Sequence, residues 1–180
     1  GLDNKLLQSI STKAKQNPKR VVFAEADNYK ILKAAQISRD DGVAIPILLG
    51  NKEMIDELIK EHGLDLEDIE IIDPRLDEER SRRTKYAKLL YDNRKRRGFT
   101  MSEASKIMHE RNYFGAAMVA SGEADALISG LTRNYPATIK PALQVIGTDP
   151  NVNKLVGMYV MITKQGPLFL ADTTINYNPT

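Results

Sequence analysis

The chain has 180 residues, 42% of them hydrophobic and 28% charged, and this composition is typical of a globular protein with a sizeable core. It contains no cysteine and only 2 histidines, which excludes disulfides, thiolate metal sites and thiol catalysis and argues against a histidine-rich metal site. A net charge of +2 argues against a strongly basic nucleic-acid binder, and the lack of a membrane-length apolar stretch or a signal peptide predicts a cytoplasmic protein.

The first part of the chain alternates helical patterns with short apolar runs. Helices are predicted over residues 3–16, from a cap at Asp27 or Asn28 to Gly42, and from a cap at Asn51 to Gly63. The apolar stripe of the third helix consists of Met54, Ile55, Leu58 and Ile59. Buried strands are predicted at residues 20–24, 45–50 and 70–74. Such alternation over short connections predicts an α/β fold, with a parallel sheet covered by helices on both faces.

The second part of the chain begins with a long helix. Helical periodicity spans residues 77–97, and Gly98 is expected to end the helix. Thr100 and Glu103 form the Thr-x-x-Glu pattern of a capping box, which predicts a new helix followed by another over residues 112–120. Further elements are predicted as a strand at 126–130, a helix at 136–146, and an antiparallel hairpin of residues 156–162 and 168–171.

Positive charge is concentrated on the predicted long helix, where residues 75–97 hold ten Lys and Arg against four Asp and Glu. The densest part runs from Arg94 to Arg97, and arginine offers the planar, bidentate donors that bind phosphate groups well. Two other interpretations stay open. The cations could complement the dipole of a helix whose first turn is acidic, or the segment could bind RNA or a protein partner.

The segment Ser129-Gly130-Leu131-Thr132-Arg133 follows a predicted strand, and open α/β sheets bind ligands at such strand ends. Its backbone amides and hydroxyls make Ser129, Gly130 and Thr132 candidate ligand-binding residues. The alternative is an ordinary strand-to-helix turn. Asp172 also follows an apolar strand, and it is either a cleft residue or a turn residue.

Other patterns are less informative about chemistry. His62 is expected at a helix end and His109 as an exposed member of a helix, and neither has a neighbouring Ser or Asp pattern that indicates a catalytic triad. The sequence contains no G-x-G-x-x-G or Walker pattern, so we expect no nucleotide cofactor in this chain.

Four segments nevertheless occur in a recognisable order. They are Arg94-Lys95-x-x-Gly98-x-Thr100, the run from Gly122 to Gly130, Thr138-Ile139-Lys140-Pro141-Ala142-Leu143-Gln144, and Ala171-Asp172-x-x-Ile175-Asn176-x-x-Pro179-Thr180. In this order they resemble the phosphate acetyltransferase family. The resemblance covers nearly the whole chain, which makes it more specific than any single motif.

This resemblance implies a three-layer α/β/α sandwich of the isocitrate/isopropylmalate dehydrogenase-like type, in two domains with a coenzyme A site between them. It implies that residues 1–150 form the first domain and that residues 151–180 begin a second, truncated one. The family's motif with the catalytic Ser, Arg and Asp lies beyond Thr180, so no catalytic residue carries over and we expect this chain to be inactive alone. Arg94 and Lys140 are expected to anchor a coenzyme A-type ligand, beside Ser129, Gly130 and Thr132.

Two departures from the family's motif point to a related module. The family usually has an arginine at the position of Lys140, and a small-residue and histidine stretch where this chain has Leu131 to Tyr135. Lysine keeps the charge but loses the bidentate geometry of arginine. These departures resemble the phosphate acetyltransferase-like domain of bacterial NADP-dependent malic enzymes.

That second resemblance implies a regulatory and oligomerisation domain in a homo-oligomer, with acetyl-CoA or a related small molecule as effector. NADP and a divalent metal would then be bound in a separate catalytic domain, which oxidatively decarboxylates malate to pyruvate. We expect no metal, nucleic-acid or membrane binding by this chain itself. The alternative is a fragment of an authentic phosphate acetyltransferase.

Overall fold

A computed structural model describes residues 18–130, 158–163 and 166–171, and six strands in these ranges form one sheet in the order β3-β2-β1-β4-β5-β6. The strands are β1 (Lys19–Phe23), β2 (Ala44–Leu49), β3 (Glu70–Ile72), β4 (Ala126–Gly130), β5 (Met158–Thr163) and β6 (Gly166–Ala171). Strands β3, β2, β1 and β4 are parallel, whereas β5 pairs antiparallel with β4 and β6 antiparallel with β5. The predicted α/β class is therefore confirmed.

Five α-helices lie in the described ranges: α1 (Tyr29–Asp40), α2 (Lys52–His62), α3 (Arg80–Arg94), α4 (Met101–Ile107) and α5 (Arg111–Ala120). Their first turns follow local sequence signals. The Asn28 side chain accepts a hydrogen bond from the Lys30 amide, and Asn51 caps α2 in the same way. Thr100 and Glu103 form the predicted capping box at the start of α4.

The predicted helix over residues 77–97 is an α-helix only in its central part. Turns of 3₁₀-helix at Asp77–Glu79 and Lys95–Arg97 flank α3. Such turns tighten helix ends, because i→i+3 hydrogen bonds satisfy backbone groups that have no α-helical partner there. Gly98 ends the segment as predicted, with φ at 77° in the left-handed region that glycine adopts readily.

Alternating side chains of β1 divide the core into two layers. Val22 packs with Tyr86 and Phe114 on the face covered by α3, α4 and α5. Val21 and Phe23 pack on the opposite face, which α1 and α2 cover. Helices therefore lie on both faces of the described sheet, as the sequence of elements predicts.

Helix α5 approaches the sheet more closely than an ordinary side chain would allow. A Cβ atom at Gly115 would lie 2.9 Å from Leu127 Cδ1 and 3.4 Å from Leu49 Cδ2. The glycine thus lets the α5 backbone pack directly on β4 and β2, which brings the first turn of α5 to the carboxyl ends of the strands.

Several sequence predictions differ from the structure or lie outside it. The helices predicted at residues 3–16 and 136–146 lie outside the described ranges. The predicted hairpin is present with shifted bounds, because Gly166 and Pro167 pair with β5 instead of forming the turn. The hairpin extends the same sheet as β4, and the domain boundary after residue 150 stays a prediction.

Met54 is a correction to the predicted apolar stripe of α2. Its side chain is 48% exposed, because the first turn of α2 opens onto a cleft instead of the core. Within the described ranges, no helix combines the length and the apolar character that crossing a bilayer requires.

Candidate functional site

A cleft of about 590 Å³ opens at the carboxyl ends of β1, β2 and β3, beside the turn that leads into α5. Charged and amide side chains of its wall include Glu25, Asp27, Asp73, Arg75, Arg111 and Asn112. The strand order reverses next to this cleft, since the chain runs from β1 outward to β3 and then returns to β4 on the other side of β1. Open α/β sheets bind ligands outside the carboxyl ends of strands at such a reversal.

An ion pair between Asp27 and Arg111 crosses the wall of the cleft. Asp27 lies in the loop after β1, and Arg111 is the first residue of α5. Arg111 Nη2 donates to Asp27 Oδ2 at 2.8 Å, and Arg111 Nη1 donates to Asp27 Oδ1. The paired geometry fixes both side chains, because a planar guanidinium and a carboxylate share two parallel hydrogen bonds.

The protonation of this pair follows from its surroundings. Burial raises the pKa of the Asp27 carboxyl, but the hydrogen bonds and charge of Arg111 outweigh burial and hold the pKa below its ordinary value. The hydrogen bond to Asp27 raises the pKa of Arg111 against the effect of burial, and the negative charges of Glu25 and Asp73 add to the rise. Both groups are therefore charged at neutral pH.

Asn112 joins α5 to the end of β4. Its side chain is buried, and Asn112 Oδ1 accepts a hydrogen bond from Ser129 Oγ at 3.2 Å. Asn112 Nδ2 donates to Glu110 Oε1 at 3.3 Å, so both ends of the amide are engaged. The buried amide and hydroxyl thus satisfy each other, as polar groups removed from water must.

The loop after β3 is held by hydrogen bonds at both of its ends. Asp73 Oδ2 accepts from the Lys52 amide in the first turn of α2 at 3.3 Å, and Asp73 Oδ1 accepts from the Arg75 amide at 3.1 Å. Arg83 is buried and donates to the carbonyl oxygens of Pro74 at 2.7 Å and Leu76 at 2.6 Å. This wall of the cleft is consequently preorganised.

Gly50 allows the β1 and β2 loops to come together. A Cβ atom there would lie 3.2 Å from the Asp27 backbone nitrogen and 3.3 Å from Ile55 Cδ1. The Ala26 amide also donates to the Leu49 carbonyl at 3.1 Å. Asp27 is thereby carried toward the cleft on a tightly packed loop.

The residues predicted as ligand contacts lie in different places. Ser129 is fully buried, and its hydroxyl contacts Asn112 under the start of α5; Gly130 ends β4 in register with Tyr159. Arg94 ends α3 and is half-buried. Thr132 and Lys140 lie outside the described residues, as does Asp172. Their roles, and those of Arg94, Ser129 and Gly130, stay predictions.

Arg94 and Ser129 each interact with a residue in the first turn of α5, Arg94 through its charge and Ser129 through a hydrogen bond. Burial, followed by the charge of Glu110, raises the pKa of the Tyr113 hydroxyl, and the charge of Arg94 opposes that rise. Ser129 bonds to the preceding residue, Asn112. Two of the predicted residues thus act on consecutive residues of one helix.

Sequence reasoning missed most of the cleft wall. Asp27 was one of two candidate helix caps, but Asn28 is the cap and Asp27 pairs with Arg111. His109 was expected within a helix, whereas α4 ends at Ile107 and His109 lies in the following turn, at the cleft. The signal that could have found Asp27 and Asp73 is their position just after predicted strands.

Neither histidine lies in a metal site among the described residues, where no group of three or more His, Asp or Glu is arranged to hold a metal ion. His62 stacks on Tyr29 with ring centroids 4.0 Å apart. The cleft wall therefore presents charged side chains, among them the Asp27–Arg111 pair, and the buried Asn112 lies behind them.

Comparison with known proteins identifies the family of this chain. The family model "Phosphate acetyl/butaryl transferase" matches residues 5–180. Phosphate acetyltransferase of Helicobacter pylori is 36% identical over 172 residues, which are 96% of this chain and 33% of that protein. NADP-dependent malic enzyme of Rhizobium meliloti is 30% identical over 177 residues, which are 97% of this chain and 23% of that protein.

A solved structure extends the similarity to three dimensions. A phosphotransacetylase from Streptococcus pyogenes superposes with a TM-score of 0.70 at 28% identity, covering 98% of this chain and 53% of that one. The chain thus spans between about a quarter and about half of the proteins that it matches. Because the family model matches nearly the entire length, this chain belongs to the phosphate acetyl/butaryl transferase family.

Proposed function

We propose that this chain is part of an acyltransferase of the phosphotransacetylase type, which moves an acetyl group between coenzyme A and phosphate. Membership of the family supports this activity, and so do the relatives named phosphate acetyltransferase and phosphotransacetylase. The observation that carries the proposal is the polar cleft beside the reversal of strand order, in a chain of this family. In this proposal the cleft forms one wall of the coenzyme A site, in the three-layer sandwich that the family resemblance implies.

Charge decides how the ligand would lie. The charged residues of the cleft wall are Glu25, Asp27, Asp73, Glu110, Arg75 and Arg111, so carboxylates outnumber guanidinium groups. Phosphate groups of coenzyme A are repelled by such a wall and are expected on the side of Arg94, at the end of α3. Lys140, Thr132 and Gly130 complete the proposed ligand contacts, and Ser129, whose hydroxyl is buried against Asn112, supports the end of β4 beneath them.

A second candidate function is the regulatory domain of an NADP-dependent malic enzyme. The similarity to the Rhizobium meliloti enzyme favours it, together with Lys140 and the segment Leu131 to Tyr135. In that case acetyl-CoA is an effector of a homo-oligomer, and NADP and a divalent metal belong to another part of the protein. Under either candidate, a cytoplasmic location stays a prediction.

Calorimetric titration of the full protein that contains this chain with coenzyme A and acetyl-CoA tests the shared part of both candidates. We expect saturable binding that Arg94→Ala weakens about tenfold, because a hydrogen bond to a charged group contributes roughly 1.5–3 kcal/mol. Arg97→Ala is the matched control, since this exposed arginine lies three residues away in the following turn. Equal dissociation constants for the two variants would exclude Arg94 as an anchor.

Assays of the full protein that contains this chain separate the two candidates. Formation of acetyl-CoA from acetyl phosphate and coenzyme A supports the transferase. Malate-dependent reduction of NADP that responds to acetyl-CoA supports the regulatory domain instead. If the full protein shows neither activity, both candidate functions are overturned.

A further inference from the structure

The first two residues of α5 contact both strands that flank the reversal of strand order. Arg111 holds Asp27 in the loop after β1, with one of the two hydrogen bonds at 2.8 Å. Asn112, the next residue, accepts the hydroxyl of Ser129 on β4 at 3.2 Å. One helical turn is therefore bonded to both sides of the proposed ligand site.

Burial makes these contacts stiff. Asn112 is 6% exposed and Ser129 is 0% exposed, so water cannot readily replace either partner. The Ala24 amide also donates to the Ile128 carbonyl at 3.0 Å, which joins the ends of β1 and β4 directly. The separation of the two strand ends is thus determined by a backbone hydrogen bond and by two side chains of α5.

We propose that Arg111 and Asn112 are positioning residues, which set the distance between the β1 loop and the end of β4 and thereby the affinity of the site for coenzyme A. This inference rests on the proposed function. Asn112 acts through Ser129, and Arg111 acts through Asp27. Displacements of about 1 Å at a binding or catalytic site are enough to lower its performance substantially.

A double-mutant cycle in the full protein that contains this chain tests the Asn112 contact, with calorimetric titration of coenzyme A as the measurement. We expect Asn112→Ala and Ser129→Ala each to raise the dissociation constant about tenfold, and the double variant to raise it no further, because both remove the same contact. Ser121→Ala is the matched control. Its hydroxyl bonds Met118 and Glu123 at the other end of α5, so its loss is expected to leave the dissociation constant within about twofold of wild type.

A second pair of variants tests Arg111. Arg111→Lys keeps the charge but loses the paired geometry with Asp27, and we expect the dissociation constant to rise about fivefold to tenfold. Arg20→Lys is the control, because Arg20 pairs with Asp125 at the opposite edge of the sheet. It is expected to leave the affinity for coenzyme A unchanged even where it lowers the melting temperature.

The outcomes separate the inference from the proposed function. Absence of coenzyme A binding by the full protein that contains this chain would overturn both. If the wild type binds coenzyme A and folded Ser129→Ala and Arg111→Lys bind it with unchanged affinity, the inference alone is overturned. Equal changes in the dissociation constant for Arg111→Lys and Arg20→Lys would overturn it too. Ser129→Ala removes a single hydroxyl, so it keeps the test decisive if Asn112→Ala does not fold.

Discussion

The amino ends and the carboxyl ends of the parallel strands use polar side chains in different ways. These two sides of the sheet are called the amino edge and the carboxyl edge. At the amino edge, Glu123 accepts hydrogen bonds from Lys85, Tyr86 and Ser121. Arg20 donates to the carbonyl oxygens of Gly122 at 2.8 Å and Glu123 at 2.9 Å, and its own amide donates to Asp125 at 2.8 Å. Each central group of this edge therefore has several partners, and together they form a closed network.

At the carboxyl edge the polar side chains beside the cleft meet in pairs. Asp27 and Arg111 form one ion pair, Asn112 and Ser129 form one buried hydrogen bond, and three of these four residues line an open cleft. Loss of Asp27 removes the carboxylate partner of Arg111 at once, whereas Glu123 keeps other donors when one of them is lost. The amino edge therefore mainly stabilises the fold, whereas the carboxyl edge borders the open cleft.

The largest expected effect comes from moving α5, which carries the start of the cleft wall. In Gly115→Val the new side chain would meet Leu127 and Leu49, and we expect a loss of about 3 kcal/mol in the free energy of unfolding, since overpacking of this kind is strongly destabilising. The free energy of unfolding should fall less in Gly115→Ala, because alanine favours the helix by up to about 1 kcal/mol relative to glycine. Urea unfolding of both variants measures this order, and an unchanged Gly115→Val midpoint would contradict the close packing.

Removing one aspartate from each edge compares the edges directly. Asp27→Ala leaves Arg111 half-buried without its carboxylate, and we expect a loss of about 2 kcal/mol in unfolding free energy, between the values for surface and buried pairs. Asp125 is 37% exposed, and Asp125→Ala should lose at most about 1 kcal/mol because Arg20 keeps its carbonyl partners. A larger loss for Asp125→Ala, measured by urea unfolding, would reverse the comparison.

The redundancy of the amino-edge network can be tested at Tyr86. In Tyr86→Phe the ring keeps its edge-to-face contact with Phe114, while the hydroxyl bond to Glu123 is lost. We expect a loss of about 1 kcal/mol in unfolding free energy, since Glu123 keeps Lys85 and Ser121 as partners. Thermal unfolding measures this loss, with Tyr91→Phe on the same helix as the control variant. A loss of several kcal/mol in Tyr86→Phe would show that the network is not redundant.

The smallest effects should appear in acid. The pKa of Asp27 is held low by Arg111 against burial, and the pKa of Asp125 is held low by hydrogen bonds from Arg20 against burial. Because the folded-state values lie below the ordinary aspartate pKa of about 3.9, both carboxylates stabilise the fold fully above that pH and lose their contribution as the pH falls through the folded-state pKa. Burial raises the pKa of Glu79 instead, so its protonation in acid partly offsets the loss.

Unfolding free energies measured between about pH 5 and pH 3 check these directions. The unfolding free energy should decline less steeply toward low pH in Asp27→Asn than in wild type. The slope for Asp125→Asn should lie closer to that of the wild type. Parallel curves for wild type and Asp27→Asn would mean that the ion pair does not lower the pKa of Asp27.

Local elements of this protein were accessible from the sequence. Asn51, the Thr100–Glu103 capping box and Gly98 mark helix ends through contacts within a few residues, and the structure has helix ends at each of them. The strands of the parallel sheet were also predictable, because short apolar runs between helices are buried in almost any arrangement of this class. Family resemblance, carried by motifs from Arg94 onward, was also visible without coordinates.

The pairing of side chains at the cleft was decided by the tertiary structure. Asp27 and Arg111 are 84 residues apart in sequence, and their pairing depends on the position of α5 over the sheet. Asn112 and Ser129 are 17 residues apart, and they meet where α5 packs on β4, a close approach that Gly115 permits. Periodicity and capping report the neighbours of a residue along the chain, whereas these contacts depend on which strands are adjacent and on how closely a helix packs across them.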